Sequence, residues 1–133
     1  MKKTYTGGCH CGAVRYEADM DLSQGTLKCN CSICRKARTW LVGIGGGDFR
    51  LLKGEEMLSD YQFGRKNIHH LFCRTCGIKS FGRATGQDGK VFVAVVLNCV
   101  DDISDAELAA VPITYVDGRN DHFDAAPTET RHL

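Results

Sequence analysis

The chain has almost no net charge and no long apolar run, and each shortage excludes a class of protein. It carries 17 Lys and Arg residues against 16 Asp and Glu residues, a formal charge of +1. This balance offers no general attraction for a polyanion. The longest apolar run covers only residues 91–97, far short of the roughly 20 residues of a membrane-spanning helix. We therefore expect neither a nucleic-acid carrier nor a membrane protein.

The first residues also lack a secretory signal. Met1-Lys2-Lys3 is basic, but residues 4–11 contain no apolar core of the kind that signal peptides have. A cytoplasmic location is therefore expected. The 133 residues fit one domain with a core of its own, and no linker, repeat or low-complexity stretch divides them. We expect a single domain over 1–133.

Short strands rather than helices are predicted over most of the chain. The 15 glycines separate short stretches rich in Val, Phe, Tyr, Ile and Thr. Val14, Tyr16 and Ala18 alternate with polar residues, as in a strand with one buried face. The run 91–97 is predicted to be a strand buried on both faces at the centre of the core. Further strands are predicted over 39–44, 49–52, 58–63, 68–72 and 79–83.

One short helix is predicted near the C-terminus. Ser104 and Glu107 fit a capping box, and the alanine-rich residues that follow continue the helix until a proline ends it. The tail from Asp117 onward has no periodic pattern. The sequence therefore predicts an all-β domain with a core over 4–98, followed by this helix and an irregular segment over 99–133.

Cysteine is abundant, with eight residues of which seven form three clusters. The clusters are Cys9-His10-Cys11, Cys29-Asn30-Cys31-Ser32-Ile33-Cys34 and Cys73-Arg74-Thr75-Cys76, and Cys99 stands alone. Disulfides are disfavoured because the chain has no export signal and is large enough to be stabilised by its core. Unrelated buried thiols would not gather at spacings of two and three residues. The clusters therefore predict metal binding.

Zinc is the metal that these spacings favour, because it takes thiolate ligands at about 2.3 Å in tetrahedral geometry. Residues i and i+2 of an extended segment project to the same side, so Cys9 with Cys11, and Cys29 with Cys31, can bind one ion. The third cluster is followed by a glycine, which gives the C-x-x-C-G pattern of a zinc knuckle. Iron is the lesser alternative, because the chain has no ferredoxin-like run of four cysteines.

The number of clustered cysteines predicts two unequal sites. Seven thiolates cannot complete two four-coordinate sites, so one closed site and one open site are expected. Catalytic zinc sites keep such an open position. The spacing does not decide how the clusters are shared, because the last two cysteines of the second cluster could also form a zinc ribbon with the third. The open set would then be Cys9, Cys11 and Cys29.

The residues around the clusters form three longer motifs. These are Gly8-Cys9-His10-Cys11-Gly12-Ala13-Val14-Arg15-Tyr16, Cys29-Asn30-Cys31-Ser32-Ile33-Cys34-Arg35-Lys36 and Phe72-Cys73-Arg74-Thr75-Cys76-Gly77. In this order, over about 4–98, they resemble the glutathione-dependent formaldehyde-activating enzyme family, which includes centromere protein V. The resemblance implies a small zinc-stabilised all-β fold of the β-tent type.

The resemblance also implies how the cysteines are divided between two zinc ions per chain. In the family, the first and third clusters hold a structural zinc and the middle cluster holds a catalytic one. The implied structural ligands are Cys9, Cys11, Cys73 and Cys76. The implied catalytic ligands are Cys29, Cys31 and Cys34. The implied activity is that of a carbon–sulfur lyase similar to S-hydroxymethylglutathione synthase, acting on glutathione and formaldehyde or another small aldehyde.

An open zinc with three thiolates suits a thiol as its fourth ligand. Three thiolates make the metal a weak Lewis acid, so activation of water is disfavoured. A thiol bound there becomes a nucleophilic thiolate, and glutathione fits this role. Glutathione has two carboxylates, and Arg35, Lys36 and Arg38 directly follow the open set as candidate contacts. The alternative for these three residues is a solvated surface without a ligand.

A second function remains open at this point. The chain could be a non-catalytic, zinc-stabilised binding module in which another residue, such as Cys99, fills the fourth position. His10 is not a candidate, because strand alternation points it away from the metal. A nucleic-acid-binding zinc ribbon ranks third, because no basic stripe with interleaved aromatic residues accompanies the cysteines. The sequence specifies no oligomeric state.

Overall fold

The computed structural model describes residues 1–133 and contains ten strands and two short helices. The strands are β1 (Lys3–Gly8), β2 (Arg15–Met20), β3 (Thr26–Cys29), β4 (Leu41–Gly45), β5 (Phe49–Lys53), β6 (Leu58–Tyr61), β7 (Ile68–Cys73), β8 (Phe81–Thr85), β9 (Val91–Val96) and β10 (Ile113–Val116). The helices are α1 (Ser32–Ala37) and α2 (Asp105–Ala110). The predicted all-β class is confirmed. Neither helix has the length or the hydropathy to cross a membrane.

The strands form two sheets. The smaller sheet has the order β1-β2-β5, and the larger has the order β10-β3-β4-β9-β8-β7-β6. Neighbouring strands are antiparallel except for β10 and β3, which are parallel. Strand β9 therefore lies at the centre of the larger sheet.

The core combines side chains from both sheets. In β2, the residues Tyr16, Ala18 and Met20 are buried and alternate with half-buried ones, which is the alternation that a strand with one buried face requires. The ring of Tyr16 packs against Phe49 and Phe81, with centroids 5.1 Å and 5.9 Å away. These aromatic contacts join the smaller sheet to the larger one.

Strand β9 differs from its prediction in its first half. Val91 and Phe92 are 40 % and 52 % exposed, and only from Val93 onward is the strand largely buried. Phe92 pairs with Gly45, which has no side chain to cover it. The expectation of a strand buried on both faces therefore holds only for its second half.

The two helices differ in how well local signals predict them. Helix α2 has the expected cap, because Ser104 Oγ accepts a hydrogen bond of 3.1 Å from the Glu107 N–H. Helix α1 was not predicted. Its N-cap is Cys31, which makes no side-chain capping bond, and it ends at Arg38 with a left-handed φ of 51°. Cys31 is not one of the residue types, such as Ser, Thr, Asp or Asn, that usually cap the start of a helix.

The parallel pair β3 and β10 joins the second cysteine cluster to the C-terminal part of the chain. In this pair Val116 lies opposite Cys29. The residues that follow each strand, Asn30 and Asp117, are therefore neighbours. The segment 99–133, expected to contain only a helix and irregular chain, includes a strand, and its continuation lies against the cysteines.

Candidate metal centres

The first group of cysteines joins the end of β1 to the turn between β7 and β8. We call it the four-cysteine group, and it consists of Cys9, Cys11, Cys73 and Cys76, whose sulfur atoms all lie within 4.8 Å of one another. The Cys11 sulfur is 3.7 Å from the sulfurs of Cys9 and Cys73. Tetrahedral zinc with bonds of about 2.3 Å needs sulfurs about 3.8 Å apart. The four sulfurs thus fit a zinc ion.

Two tight turns present these cysteines. Gly12 and Gly77 follow the two cysteine pairs with φ angles of 83° and 79°, in the left-handed region that glycine adopts without strain. The Gly77 N–H donates to the Cys73 carbonyl at 2.8 Å. A side chain with a Cβ would be strained at both positions, so the glycines that follow the clusters belong to the site.

Backbone N–H groups in these turns point at sulfur and favour the thiolate form. The Val14 N–H donates to Cys9 Sγ at 3.3 Å. The N–H groups of Cys11 and Ile78 lower the pKa of Cys76 to about 6. Hydrogen bonds to a charged group stabilise the charged form, so Cys76 is prepared to bind a cation as a thiolate.

The second group is local in sequence. We call it the three-cysteine group, and it consists of Cys29 at the end of β3, Cys31 at the N-cap of α1 and Cys34 within α1. Their sulfurs also lie within 4.8 Å of one another. No histidine, acidic residue or further cysteine joins them, and Cys99 belongs to neither group. The zinc-ribbon arrangement that the spacing left open does not occur.

Burial acts to raise the pKa of all three thiols, but the net shifts differ in sign. It raises the pKa of Cys34 to about 12 and is also the main reason that the pKa of Cys29 is raised. Burial raises the pKa of Cys31 as well, but hydrogen bonds from the Cys34 N–H and the neighbouring thiols outweigh it and leave that pKa lowered. The first negative charge therefore belongs on Cys31. A cation is needed to hold all three as thiolates.

The loop after β10 covers one side of the three-cysteine group. A Cβ atom placed on Gly118 would lie 2.5 Å from Cys29 Sγ and 3.2 Å from Cys31 Cβ. Real Cβ atoms do not approach sulfur so closely, and only glycine fits here. Sequence reasoning placed this glycine in an irregular tail and missed its role.

Asn30, which lies between two of the cysteines, fixes this loop in place. Its side-chain N–H donates to Asp117 Oδ1 at 2.8 Å, and its Oδ1 accepts from the Arg119 N–H at 2.9 Å. Asn30 is 6 % exposed, so both hydrogen bonds are shielded from water. The position of Asn30 inside the second cluster was a signal for such a role, but its partners are nearly 90 residues away.

A cavity of about 390 Å³ lies where the chain leaves α1, and its lining includes Arg38, Thr39 and Lys79. Thr39 is buried, and its hydroxyl has no hydrogen-bond partner of normal geometry. This hydroxyl is close enough to Cys34 to lower the pKa of that thiol against the effect of burial. The Thr39 N–H also donates to the Cys34 carbonyl at 3.2 Å, so the cavity lies next to Cys34, although none of the three cysteines is in its lining.

Lys79 and His70 form a pair in this region. Lys79 Nζ lies 3.0 Å from His70 Nδ1, and the buried imidazole stacks on the Phe63 ring with centroids 5.3 Å apart. Burial lowers the pKa of Lys79, while the charges of Cys34 and Cys31 act in the opposite direction. The ammonium is thus within electrostatic range of the three-cysteine group. Sequence reasoning treated both residues as parts of strands.

The three predicted cationic contacts are exposed side chains, and none of them makes a salt bridge or a side-chain hydrogen bond. Arg38 lines the cavity of about 390 Å³. Lys36 lines a second cavity of about 210 Å³, between α1 and the rings of Tyr61 and Phe63. Arg35 lines neither cavity. Lys36 and Arg38 are thus unpaired cations that line two different cavities next to α1.

Known proteins resemble the chain in both sequence and structure. The family model for the glutathione-dependent formaldehyde-activating enzyme matches residues 4–117. A crystal structure of a Rhodobacter sphaeroides protein aligns with a TM-score of 0.68 and 32 % identity, covering 82 % of this chain and 99 % of that chain. The resemblance noted in the sequence is confirmed. The match extends beyond 4–98 to residue 117, and so includes β10 and Asp117, the residue that follows it.

Proposed function

The chain belongs to the glutathione-dependent formaldehyde-activating enzyme family, and on that premise we propose that it is a carbon–sulfur lyase acting at the three-cysteine group. It joins the thiol of glutathione to a small aldehyde such as formaldehyde, or splits the resulting adduct. One observation carries this proposal: three sulfurs lie within 4.8 Å of one another, and no fourth ligand comes from the chain. A site of this kind has room for a ligand from solution.

The residues would hold two zinc ions with different roles. Cys9, Cys11, Cys73 and Cys76 would enclose a structural ion. Cys29, Cys31 and Cys34 would hold the catalytic ion. When bound there, zinc would keep a thiol ligand in its deprotonated and nucleophilic form. The half-buried sulfurs of Cys31 and Cys34 leave this group accessible to such a ligand.

The two cavities beside α1 suit the shape of glutathione. This tripeptide has its thiol in the middle and a carboxylate at each end. With the thiol at the three-cysteine group, Lys36 and Arg38 can each receive one carboxylate, because each lines a different cavity and has no competing partner. Arg35, the third candidate, lines neither cavity and is the weakest of the three contacts.

The proposed surroundings are the cytoplasm, where glutathione is abundant and thiols stay reduced. All eight cysteines are free, as such a compartment allows. Neither the fold nor the site requires a nucleic acid or a membrane. Glutathione or a related thiol and a small aldehyde are the partners that we propose.

The experiment is a rate measurement with zinc-loaded protein, glutathione and a panel of aldehydes that begins with formaldehyde. Formation of the adduct is followed by NMR exchange, and the uncatalysed rate is subtracted. We expect acceleration that is lost in Cys31→Ser and kept in Gly43→Ala, where the added Cβ meets nothing within 4 Å. If the wild-type protein accelerates neither formation nor cleavage with any aldehyde, the chain is instead a zinc-stabilised binding module.

A further inference from the structure

We propose that Lys79, held in place by His70, donates a proton to the aldehyde oxygen as the carbon–sulfur bond forms. This proposal rests on the proposed function and adds to it a residue that acts on the substrate. Three features of the structure carry it: the surroundings of the Lys79 ammonium, the fixed ring that holds it, and the cavity of about 390 Å³ that Lys79 lines together with Thr39, a residue hydrogen-bonded to the backbone of Cys34.

The Lys79 ammonium has an unusual set of neighbours. The side chain is half-buried, it forms no salt bridge, and its one hydrogen-bond partner is His70 Nδ1 at 3.0 Å. A partly buried cation without a carboxylate is costly unless other negative charge compensates it. Thiolate charge on Cys34 and Cys31 would provide this compensation, since it acts to raise the pKa of Lys79. Two of its three N–H donors remain free for a ligand.

The imidazole of His70 is fixed and suited to accept a hydrogen bond. It is 7 % exposed, stacks on Phe63, and packs near the Tyr61 ring with centroids 6.3 Å apart. Burial and the nearby Lys79 cation lower the pKa of His70, so its ring is neutral. A neutral ring can accept from Lys79 at Nδ1 and carry its own proton at Nε2. His70 is thus a positioning residue for Lys79.

The cavity of about 390 Å³ gives an aldehyde access to this ammonium. Its wall includes Lys79 and Thr39, and the Thr39 N–H donates to the carbonyl of Cys34 at 3.2 Å. The buried Thr39 hydroxyl faces Cys34, whose pKa it lowers, so it is not a free donor. An aldehyde whose carbon meets a thiolate at the three-cysteine group can reach the unused N–H donors of Lys79 through this cavity.

The step balances without an additional reagent. The glutathione sulfur gives an electron pair to the aldehyde carbon, and a carbon–sulfur bond forms. The π pair of the carbonyl moves to oxygen, which takes one proton from the Lys79 ammonium. The proton that the thiol released on binding returns to Lys79 through solvent in the cavity. In the reverse direction, the neutral amine of Lys79 accepts the hydroxyl proton as the carbon–sulfur bond breaks.

The test compares Lys79→Met with Lys90→Met, an exposed lysine on another part of the surface. We expect Lys79→Met to retain two zinc ions, to bind glutathione within about twofold of wild type by calorimetry, and to lose about 100-fold in kcat. Lys90→Met should match the wild type in all three measurements. Full kcat in Lys79→Met overturns the proposal. Loss of zinc overturns it, as does a loss of glutathione affinity that accounts for the whole rate effect.

A second pair of variants tests His70 as the positioning residue. His70→Asn keeps an acceptor oxygen near the place of Nδ1, whereas His70→Leu has none. We expect the kcat of His70→Asn to be at least about 10-fold higher than that of His70→Leu, at equal thermal stability. Equal kcat in both variants contradicts the role of His70. If the wild-type protein itself is inactive, the proposed function and this inference both fail, whereas an active wild type with an unaffected Lys79→Met removes the inference alone.

Discussion

The two cysteine groups of this molecule are built from the same side chain but differ in how far apart their members lie along the chain. The four-cysteine group connects segments that are distant in sequence, with Cys11 and Cys73 separated by 62 positions. The three-cysteine group lies within six residues, from Cys29 to Cys34. The first group can therefore stabilise the fold by closing a long loop, and the second cannot. Separation along the chain, as well as ligand number, thus distinguishes the site that we propose to be structural from the site that we propose to be reactive.

The stabilisation expected from a metal bound to the four-cysteine group can be calculated from chain entropy. Closing a loop of 62 residues reduces the entropy of the unfolded chain by an amount worth about 4 kcal/mol. A metal bridging the three-cysteine group closes loops of only a few residues and contributes much less to global stability. The predictions below test this division, beginning with the largest expected effect.

Removing a ligand from the four-cysteine group should destabilise the whole fold. We expect Cys73→Ser to lose about 4 kcal/mol of stability, which for a domain of this size lowers Tm by about 15 °C. Thermal unfolding followed by circular dichroism measures this change. Cys99→Ser is the control and should shift Tm by less than about 4 °C. A Cys73→Ser protein as stable as the control would remove the structural role of the group.

A chelator should remove the metal ions of the two groups at different rates. A competing chelator is expected to take the ion of the three-cysteine group at least about 10-fold faster, because that site is open and its ligands come from one segment. Release is followed with a metal-sensitive dye while circular dichroism reports the fold. The first ion should leave without loss of structure. Simultaneous release of both ions together with unfolding would contradict the division.

Adding one methyl group at Gly118 should weaken only the three-cysteine group. In Gly118→Ala the new Cβ would meet Cys29 Sγ at 2.5 Å, so the loop or the sulfur must move. We expect zinc affinity at this group to fall by about 10- to 100-fold. Gly43→Ala is the matched control, because its Cβ meets nothing within 4 Å. Competition titrations with both variants measure the effect, and unchanged affinity in Gly118→Ala would refute the covering role of the loop.

The smallest effects are expected at the cations around α1. Lys36→Met and Arg38→Met should each weaken glutathione binding about 5-fold, because each removes one solvent-exposed ion pair. Arg35→Met should change it less, since Arg35 lines neither cavity. Calorimetric titration of the zinc-loaded protein compares the three. If Arg35→Met has the largest effect, glutathione lies differently from the orientation that we propose.

Local signals made part of the fold and site predictable from the sequence. The capping box at Ser104 predicts α2, and the alternation around Tyr16 predicts β2, because both depend on residues a few positions apart. The spacing of the cysteines likewise predicts metal groups, because neighbours on a short segment can share one ion. The division of the cysteines into a group of four and a group of three came from the family resemblance, since spacing alone allowed another division.

The remainder depends on contacts between distant residues. Nothing near Asp117 indicates that it meets Asn30, because their contact is created by the parallel pairing of β10 with β3. Helix α1 has no capping side chain, so its start gives no local signal. The Lys79–His70 pair joins β7 to the loop that precedes β8. Such pairings are set by register and packing, which a single sequence does not display.

The central claim is that the chain holds two zinc ions of which one is dispensable for folding, and native mass spectrometry of Cys31→Ser tests it most directly. The account predicts two zinc ions in the wild type, one in Cys31→Ser, and the same circular dichroism spectrum and a Tm within about 4 °C for both. A wild type with a single zinc, or a Cys31→Ser protein that loses both ions and unfolds, would contradict it.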